Sequence, residues 1–270
     1  MTLKANIMRI ATWNIAGIKA RHETLCKWLQ RSQPDIVCLQ ETKTIDENFP
    51  RDIIESLGYH IETHGQKKFN GVAILSKKRP YKIITGLPGN NNDEQARYIE
   101  AVYSTNKGAI RIASIYLPNG NPINSEKYLY KMEWMARLYA HAKSLLTYEE
   151  PLILAGDYNV IPTLSDAKNP QEWKHDALFL LQTRQAFQRI IYLGFYDALR
   201  SVTEDPSFSF WDFQAGAWFK NNGIRIDHFL LSSEAIDQLI CAYSQTEVRG
   251  YKNPSDHTPV WIELDYNLQM

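Results

Sequence analysis

The stretch PLILAGDYNV, residues 151–160, enters as a buried strand and ends in polar chemistry. Leu152 to Ala155 run without a polar residue, as a strand covered on both faces does. Gly156 follows, and then Asp157 and Asn159 stand on either side of Tyr158. A strand of this kind is a rigid rod. Its terminal carboxylate and amide either belong to an ordinary polar loop or are held at the mouth of a site.

The same form recurs. MRIATWNI (8–15) alternates as a strand and turns polar at Asn14, and DIVCLQE (35–41) is a buried run ending at Glu41. GVAILS, YKIITGL, RYIEAVYS and AIRIASIYLP follow as strands, the last ending at Tyr116, and the short connection NKGA (106–109) predicts antiparallel hairpins. ENFPRDIIESLG reads as a short helix stopped at Gly58. SEKYLYKMEWMARLYAHAKSLL (125–146) reads as a long helix with Leu129, Met132, Met135, Leu138, Ala142 and Leu145 on its core face. A further helix is expected through about 175–192, and GIRIDHFLLS (223–232) and DHTPVWIEL (256–264) read as strands. Strands at both ends of the chain, with helices at several places between, predict a mixed α/β sandwich rather than a parallel doubly wound sheet.

Bulk composition narrows the class. The 270 residues carry 44% hydrophobic content with no linker, repeat or charge block, so a single domain over 1–270 is expected. Cys26, Cys38 and Cys241 are too few and too scattered for a disulfide framework or a thiolate zinc site. The opening MTLKANIMRIATWNI has no leader-like apolar core, and no run of 18 apolar residues occurs. A soluble, cytoplasmic protein of a reducing compartment is expected, with no membrane partner. Thirty basic and thirty acidic residues balance, so net charge gives no support for nucleic-acid binding. Lys67-Lys68 and Lys77-Lys78-Arg79 are candidates for a local basic face, and solvated hairpin ends explain them equally well.

Polar residues thus stand at six expected strand ends: Asn14, Glu41, Tyr116, Asp157 with Asn159, Asp227, and the pair Asp256-His257. One Asp after a strand is most often a turn or cap residue. Six such ends are harder to dismiss, although sequence alone does not make them converge. No nucleophile elbow, phosphate-binding Gly loop or H-E-x-x-H motif occurs. His60 and His64 in HIETH have helical metal spacing inside a strand, so they read as surface or packing residues. Carboxylate and amide oxygens suit Mg²⁺, with Mn²⁺ as the alternative, and such a site fits phosphate-ester hydrolysis.

ATWNIAGIKAR, CLQETK, YLPNG, GDYNVIPT, SFWDF, GIRIDHFLLS and PSDHTPVW occur in that order. Together they resemble the exonuclease III class of apurinic/apyrimidinic (AP) endonucleases, within the endonuclease/exonuclease/phosphatase superfamily, over essentially the whole chain. The resemblance implies a four-layered α/β sandwich of two mixed sheets flanked by helices. It implies Mg²⁺-dependent incision of duplex DNA 5′ to abasic sites, leaving a 3′-hydroxyl, and extends to 3′→5′ exonuclease and 3′-phosphodiesterase activity without ranking them. The implied metal residues are Glu41, Asn14 and Asp256. Asp157 and Asn159 would orient the attacking water and a phosphate oxygen, Tyr116 would approach the phosphate, and His257, held by Asp227, would hydrogen-bond the scissile group. Arg97 and Asn119 fall where relatives contact the DNA backbone. Phe210, Ile224 and Ile226, with Trp211 beside them, fall where relatives line the pocket for an extruded abasic sugar. The family is usually monomeric.

One departure stands out. Position 16 is alanine, where the family commonly carries Asp or Asn that meets the lysine of QETK. Lys43 is therefore expected to turn to Glu41, with altered metal affinity. Two other readings stay open: a superfamily enzyme acting on a different phosphoester, and a DNA-binding module without catalysis.

Overall fold

The computed structural model describes residues 7–269; residues 1–6 and 270, part of the unit expected over 1–270, lie outside that description. The chain opens with β1 (Ile7–Asn14), α1 (Ile18–Ser32), β2 (Ile36–Gln40), α2 (Arg51–Glu55), β3 (His60–His64) and β4 (Val72–Ser76). It continues through β5 (Lys82–Thr85), β6 (Tyr98–Thr105), β7 (Gly108–Tyr116), α3 (Glu126–Leu146) and β8 (Leu152–Asp157). Then come α4 (Leu181–Ile191), β9 (Tyr196–Asp197), α5 (Ala198–Val202), β10 (Asp227–Leu231), α6 (Ser233–Ile236), β11 (Leu239–Ser244) and β12 (Val260–Asp265).

Two six-stranded sheets form, ordered β11-β12-β1-β2-β4-β3 and β5-β6-β7-β8-β10-β9. Each contains one parallel pair, β1 with β2 and β7 with β8, and each pair is joined by a helix, α1 or α3. Parallel neighbours need such a crossover, whereas the remaining pairs are antiparallel. Every second residue of a strand faces the other sheet. Ile10, Ile36, Cys38 and Ile74 from one sheet meet Ile99, Ile112, Ile153 and Phe229 from the other in a central core. The outer face of the first sheet packs Trp13 and Trp261 against Trp28 of α1, and that of the second packs under α3 and α4. Helix, sheet, sheet and helix give the expected four-layered sandwich.

Local boundaries differ from the sequence reading in several places; the strand expected over 256–264 runs from Val260 to Asp265. The helix expected from 175 starts at Leu181, because Asp176 closes a turn: its Oδ1 accepts from Leu178 N–H (2.8 Å) and its carbonyl from Leu180 N–H (3.1 Å). The strand expected from 223 begins at Asp227, and Ile224 makes isolated bridges to Ala167 and Phe210 instead. Leu129 is 64% exposed; the buried face of α3 runs through Tyr128, Lys131, Trp134, Met135, Leu138, Ala142 and Leu145. Among the described residues no helix is long and apolar enough to cross a membrane.

Candidate active site

Strand register brings the polar ends together. Asn14 closes β1 opposite Gln40 on β2, so Glu41 emerges beside it. In the second sheet Tyr116 and Asp227 are both the register partners of Asp157. The segment 255–258 leads into β12, which runs antiparallel to β1 and delivers Asp256 and His257 to the same edge. Gly156 is required for this arrangement. A Cβ there would lie 1.9 Å from the carbonyl oxygen of Ile115, so the tip of β8 approaches β7 as no other residue could. Glu41, Asn159, Ala16 and Lys43 have φ of 52°, 48°, 49° and 53°, a left-handed backbone that costs about 1 kcal/mol or more for such residues. The strain is held by backbone bonds such as Lys43 N–H to Asn70 O (2.9 Å) and Gly17 N–H to Glu41 O (2.8 Å).

Hydrogen bonds orient each group. Asn14 Nδ2 donates to Glu41 Oε1 (2.9 Å) and to Asp157 Oδ2 (2.9 Å), while its Oδ1 accepts from Ala16 N–H (3.0 Å). Asn14 thus turns its nitrogen toward the carboxylates and orients them rather than offering an oxygen to a cation. Asp157 Oδ1 accepts from Asn159 N–H (2.9 Å). His257 Nδ1 donates to Asp227 Oδ2 (2.8 Å), and its Nε2 lies 3.8 Å from Asp157 Oδ2. Ser209 Oγ also donates to Asp227 Oδ2 (2.6 Å) while accepting from the N–H groups of Ile226 and Asp227. Ser255 Oγ donates to Asn14 O (2.6 Å) and accepts from His257 N–H (3.2 Å). Lys43 Nζ lies 2.6 Å from Glu41 Oε2, the contact expected from the alanine at position 16.

Electrostatics separates the roles. Burial works against a charged His257, but the Asp227 and Asp157 carboxylates outweigh it and push the imidazole up to about 10. Burial, reinforced by Asp227 and opposed by His257 and Asn14, pushes Asp157 up to about 7. Burial would raise Glu41 too, yet the Lys43 ammonium and the Asn14 amide hold it below its usual value, so it is ionised. Burial, with the Glu41 and Asp157 charges near it, keeps the Tyr116 phenol well above its usual value, so the hydroxyl is a donor at neutral pH.

These groups face a cavity of about 290 Å³ whose lining includes Glu41, Tyr116, Asn119, Asp157, Asn159, Asp256 and His257, with Phe210 and Ile226 as apolar wall. Asn14 and Asp227 stand behind that lining. Ligand atoms of Asp157, Asp227 and His257 lie within 4.8 Å of one another, an acidic cluster able to hold a metal. His257 Nδ1 is engaged by Asp227 Oδ2 (2.8 Å), which leaves only its Nε2 facing the cavity. The carboxylate oxygens of Glu41, Asp157 and Asp256 are a donor set that fits a hard divalent cation. Asp227 Oδ1, buried without a hydrogen-bond partner, adds to the negative potential there.

Two residues expected at the pocket, Trp211 and Ile224, lie elsewhere, and Arg97, expected at the DNA backbone, borders a second groove. Trp211 is 2% exposed and packs on Phe208 and Trp218, facing a separate cavity of about 520 Å³; alternation along the extended chain turns it away from Phe210. Ile224 is buried behind the wall, held by paired bonds to Phe210. Arg97 faces a neighbouring groove of about 550 Å³, where its guanidinium stacks on Tyr116 (4.8 Å) and Nη1 donates to Tyr116 O (3.3 Å). Asn119 borders both spaces. Sequence reasoning missed Ser209, Ser255, Trp173, Asp176 and Leu178, which carry no spacing signal. It also missed Lys131, whose signal was a cation on the apolar stripe of α3.

A fold of two facing mixed sheets, with carboxylates and a histidine–aspartate pair at one edge, defines a class of phosphoester hydrolases. The model of the endonuclease/exonuclease/phosphatase family matches residues 11–257, and the chain belongs to that family. It is 34% identical to exodeoxyribonuclease III of Haemophilus influenzae, over 95% of this chain and 100% of that protein. Among solved structures it is similar to an AP endonuclease from Archaeoglobus fulgidus (33% identity, TM-score 0.90, covering 96% of this chain and 99% of that one). It is also similar to a 3′ phosphatase from Neisseria bound to a product DNA hairpin (33% identity, TM-score 0.91, covering 95% and 99%). The protein is an enzyme that hydrolyses phosphodiester bonds.

Proposed function

We propose that the protein is a Mg²⁺-dependent DNA-repair phosphodiesterase that incises duplex DNA 5′ to abasic sites and leaves a 3′-hydroxyl. The observation that carries this reading is the convergence of Asp157, His257 and Glu41 on one cavity walled by Phe210 and Ile226. An apolar wall beside phosphate chemistry suits an extruded sugar that has lost its base. The names of the relatives, exodeoxyribonuclease III, AP endonuclease and 3′ phosphatase, support DNA as the substrate and 3′-end trimming as a second activity.

Asp157 orients the attacking water through its carboxylate and accepts its proton, as its raised affinity for protons suits. His257 Nε2, protonated because Asp227 holds Nδ1, donates to a non-bridging phosphate oxygen, with Asn159 beside it. Tyr116 supplies a further donor. Glu41 would hold the cation together with Asp256, with Asn14 fixing the Glu41 carboxylate. Mg²⁺, or Mn²⁺ in its place, supplies offsetting positive charge for the phosphoryl oxygens when bound. Arg97 and Asn119 receive the DNA backbone. The enzyme acts as an intracellular monomer, and its free cysteines suit a reducing compartment.

A duplex carrying one tetrahydrofuran abasic analogue tests the reading. Mg²⁺ is expected to support a single cut immediately 5′ of the analogue, and EDTA to abolish it. An uncut duplex in Mg²⁺ overturns the proposal.

A further inference from the structure

Helix α3 buries a lysine where its apolar stripe has no need of one. Lys131 stands between Tyr128 and Trp134-Met135 on the core face and is fully buried. A leucine or methionine would fill the same volume without the cost of taking an ammonium out of water. The side chain runs inward and its Nζ donates to two backbone carbonyls, Asn159 O at 2.6 Å and Asn119 O at 3.0 Å. Those carbonyls belong to the two loops that border the candidate active site.

Both loops depend on this end of the lysine. Asn159 sits in a left-handed conformation, and its N–H fixes Asp157 Oδ1 at 2.9 Å. Its side chain accepts from Asn119 Nδ2 (3.2 Å) and donates to Leu117 O (2.9 Å). Gly120 completes the fit: a Cβ there would lie 2.6 Å from Lys131 Cδ, so the loop lies directly on the lysine stem. Asn119 in turn separates the central cavity from the neighbouring groove.

We propose that Lys131 is a positioning residue for phosphodiester cleavage: its Nζ, donating to the carbonyls of Asn159 and Asn119, sets Asn159 and thereby the Asp157 carboxylate. It touches neither substrate nor metal. The effect is expected mainly in kcat, because the shorter bond goes to Asn159, on which the Asp157 geometry depends. Assigning that effect to cleavage rests on the proposed function above.

The test uses Lys131→Met, which keeps the volume and removes the donor. On the tetrahydrofuran duplex kcat is expected to fall about 100-fold, the scale of a small misplacement of reacting groups, with KM near the wild-type value. In an Asp157→Asn background the same substitution is expected to cost little more, because the carboxylate that Lys131 positions is already gone. A purely structural role would instead multiply the two losses, and that result, or a wild-type kcat in the single variant, overturns the proposal. Lys131→Gln, which keeps a donor, serves if the methionine variant does not fold; if neither folds, Lys131 is a stability residue and the proposal fails. A wild-type enzyme that does not cut the duplex sinks the functional reading alone. Hydrogen exchange then decides the brace: Asn159 N–H is expected to exchange faster in Lys131→Met, and unchanged exchange there overturns it.

Discussion

His257 lies between two carboxylates, with Nδ1 2.8 Å from Asp227 Oδ2 and Nε2 3.8 Å from Asp157 Oδ2. The short contact fixes ring and tautomer. The longer one leaves Nε2 facing the cavity with room for a phosphate oxygen, and this asymmetry gives the two aspartates different tasks.

Replacing Asp227 by Asn removes the charge that holds His257 protonated. Cleavage is expected to fall about 100-fold or more, and the histidine, titrated by NMR, to lose its proton at lower pH. The sign follows from a folded-state value near 10 against an ordinary value of 6.5. The stabilising contribution of His257 is complete below about pH 6.5 and disappears as pH rises through about 10. Urea melts at the two ends of that window should show the wild type losing stability toward high pH and Asp227→Asn losing less.

Asp157→Asn keeps the shape of the loop and removes the proton acceptor. Cleavage of abasic duplex is expected to collapse by about 1,000-fold while binding, read by fluorescence anisotropy, persists. A variant that cuts at the wild-type rate would transfer the water-orienting role to another group.

Ala16→Asp introduces a carboxylate where Lys43 now turns to Glu41. Aspartate also tolerates the left-handed backbone at φ 49° better than alanine. Lys43 is expected to be drawn from Glu41 Oε2, and half-maximal activity should be reached at lower Mg²⁺. An unchanged Mg²⁺ curve rejects the link between position 16 and the metal.

Asp166 anchors a buried charge network beside the wall of the cavity. Arg225 Nε and Arg200 Nη2 each donate to its Oδ1 at 2.7 Å, and Thr163 Oγ1 donates to Oδ2 at 2.7 Å. Burial alone would raise its carboxyl, but the two guanidinium groups hold it far below the usual range. A depressed carboxyl contributes stability that is present above the unfolded value near pH 3.9 and lost as pH falls through the folded one. Asp166→Asn is therefore expected to destabilise by about 3 kcal/mol at neutral pH in urea unfolding, with the gap narrowing in acid. A gap of constant size would mean that the charge is not what matters.

Much of this site is legible in the chain because a strand that ends in a carboxylate has to break its own apolar pattern. Leu152 to Asp157 does so, as do the runs ending at Asn14, Glu41 and Tyr116. The expected helix from 175 missed because Asp176 satisfies its own neighbours' N–H groups, a local competition that periodicity does not display. Ile224 is expected at the pocket from the family resemblance, and Trp211 because it adjoins Phe210. Their orientation depends on which side of an extended segment meets which cavity.

Order and chemistry of the strand tips are thus properties of the linear chain, since apolar runs and their polar ends are local. Their convergence is not. Asp227 faces Asp157 only because β10 pairs with β8 in that register, and a slip of one residue would turn the aspartate to the other face. Lys131 reaches Asn159 only because α3 lies on the second sheet with that face inward. Register and packing join residues far apart in sequence, and the tertiary structure alone decides them.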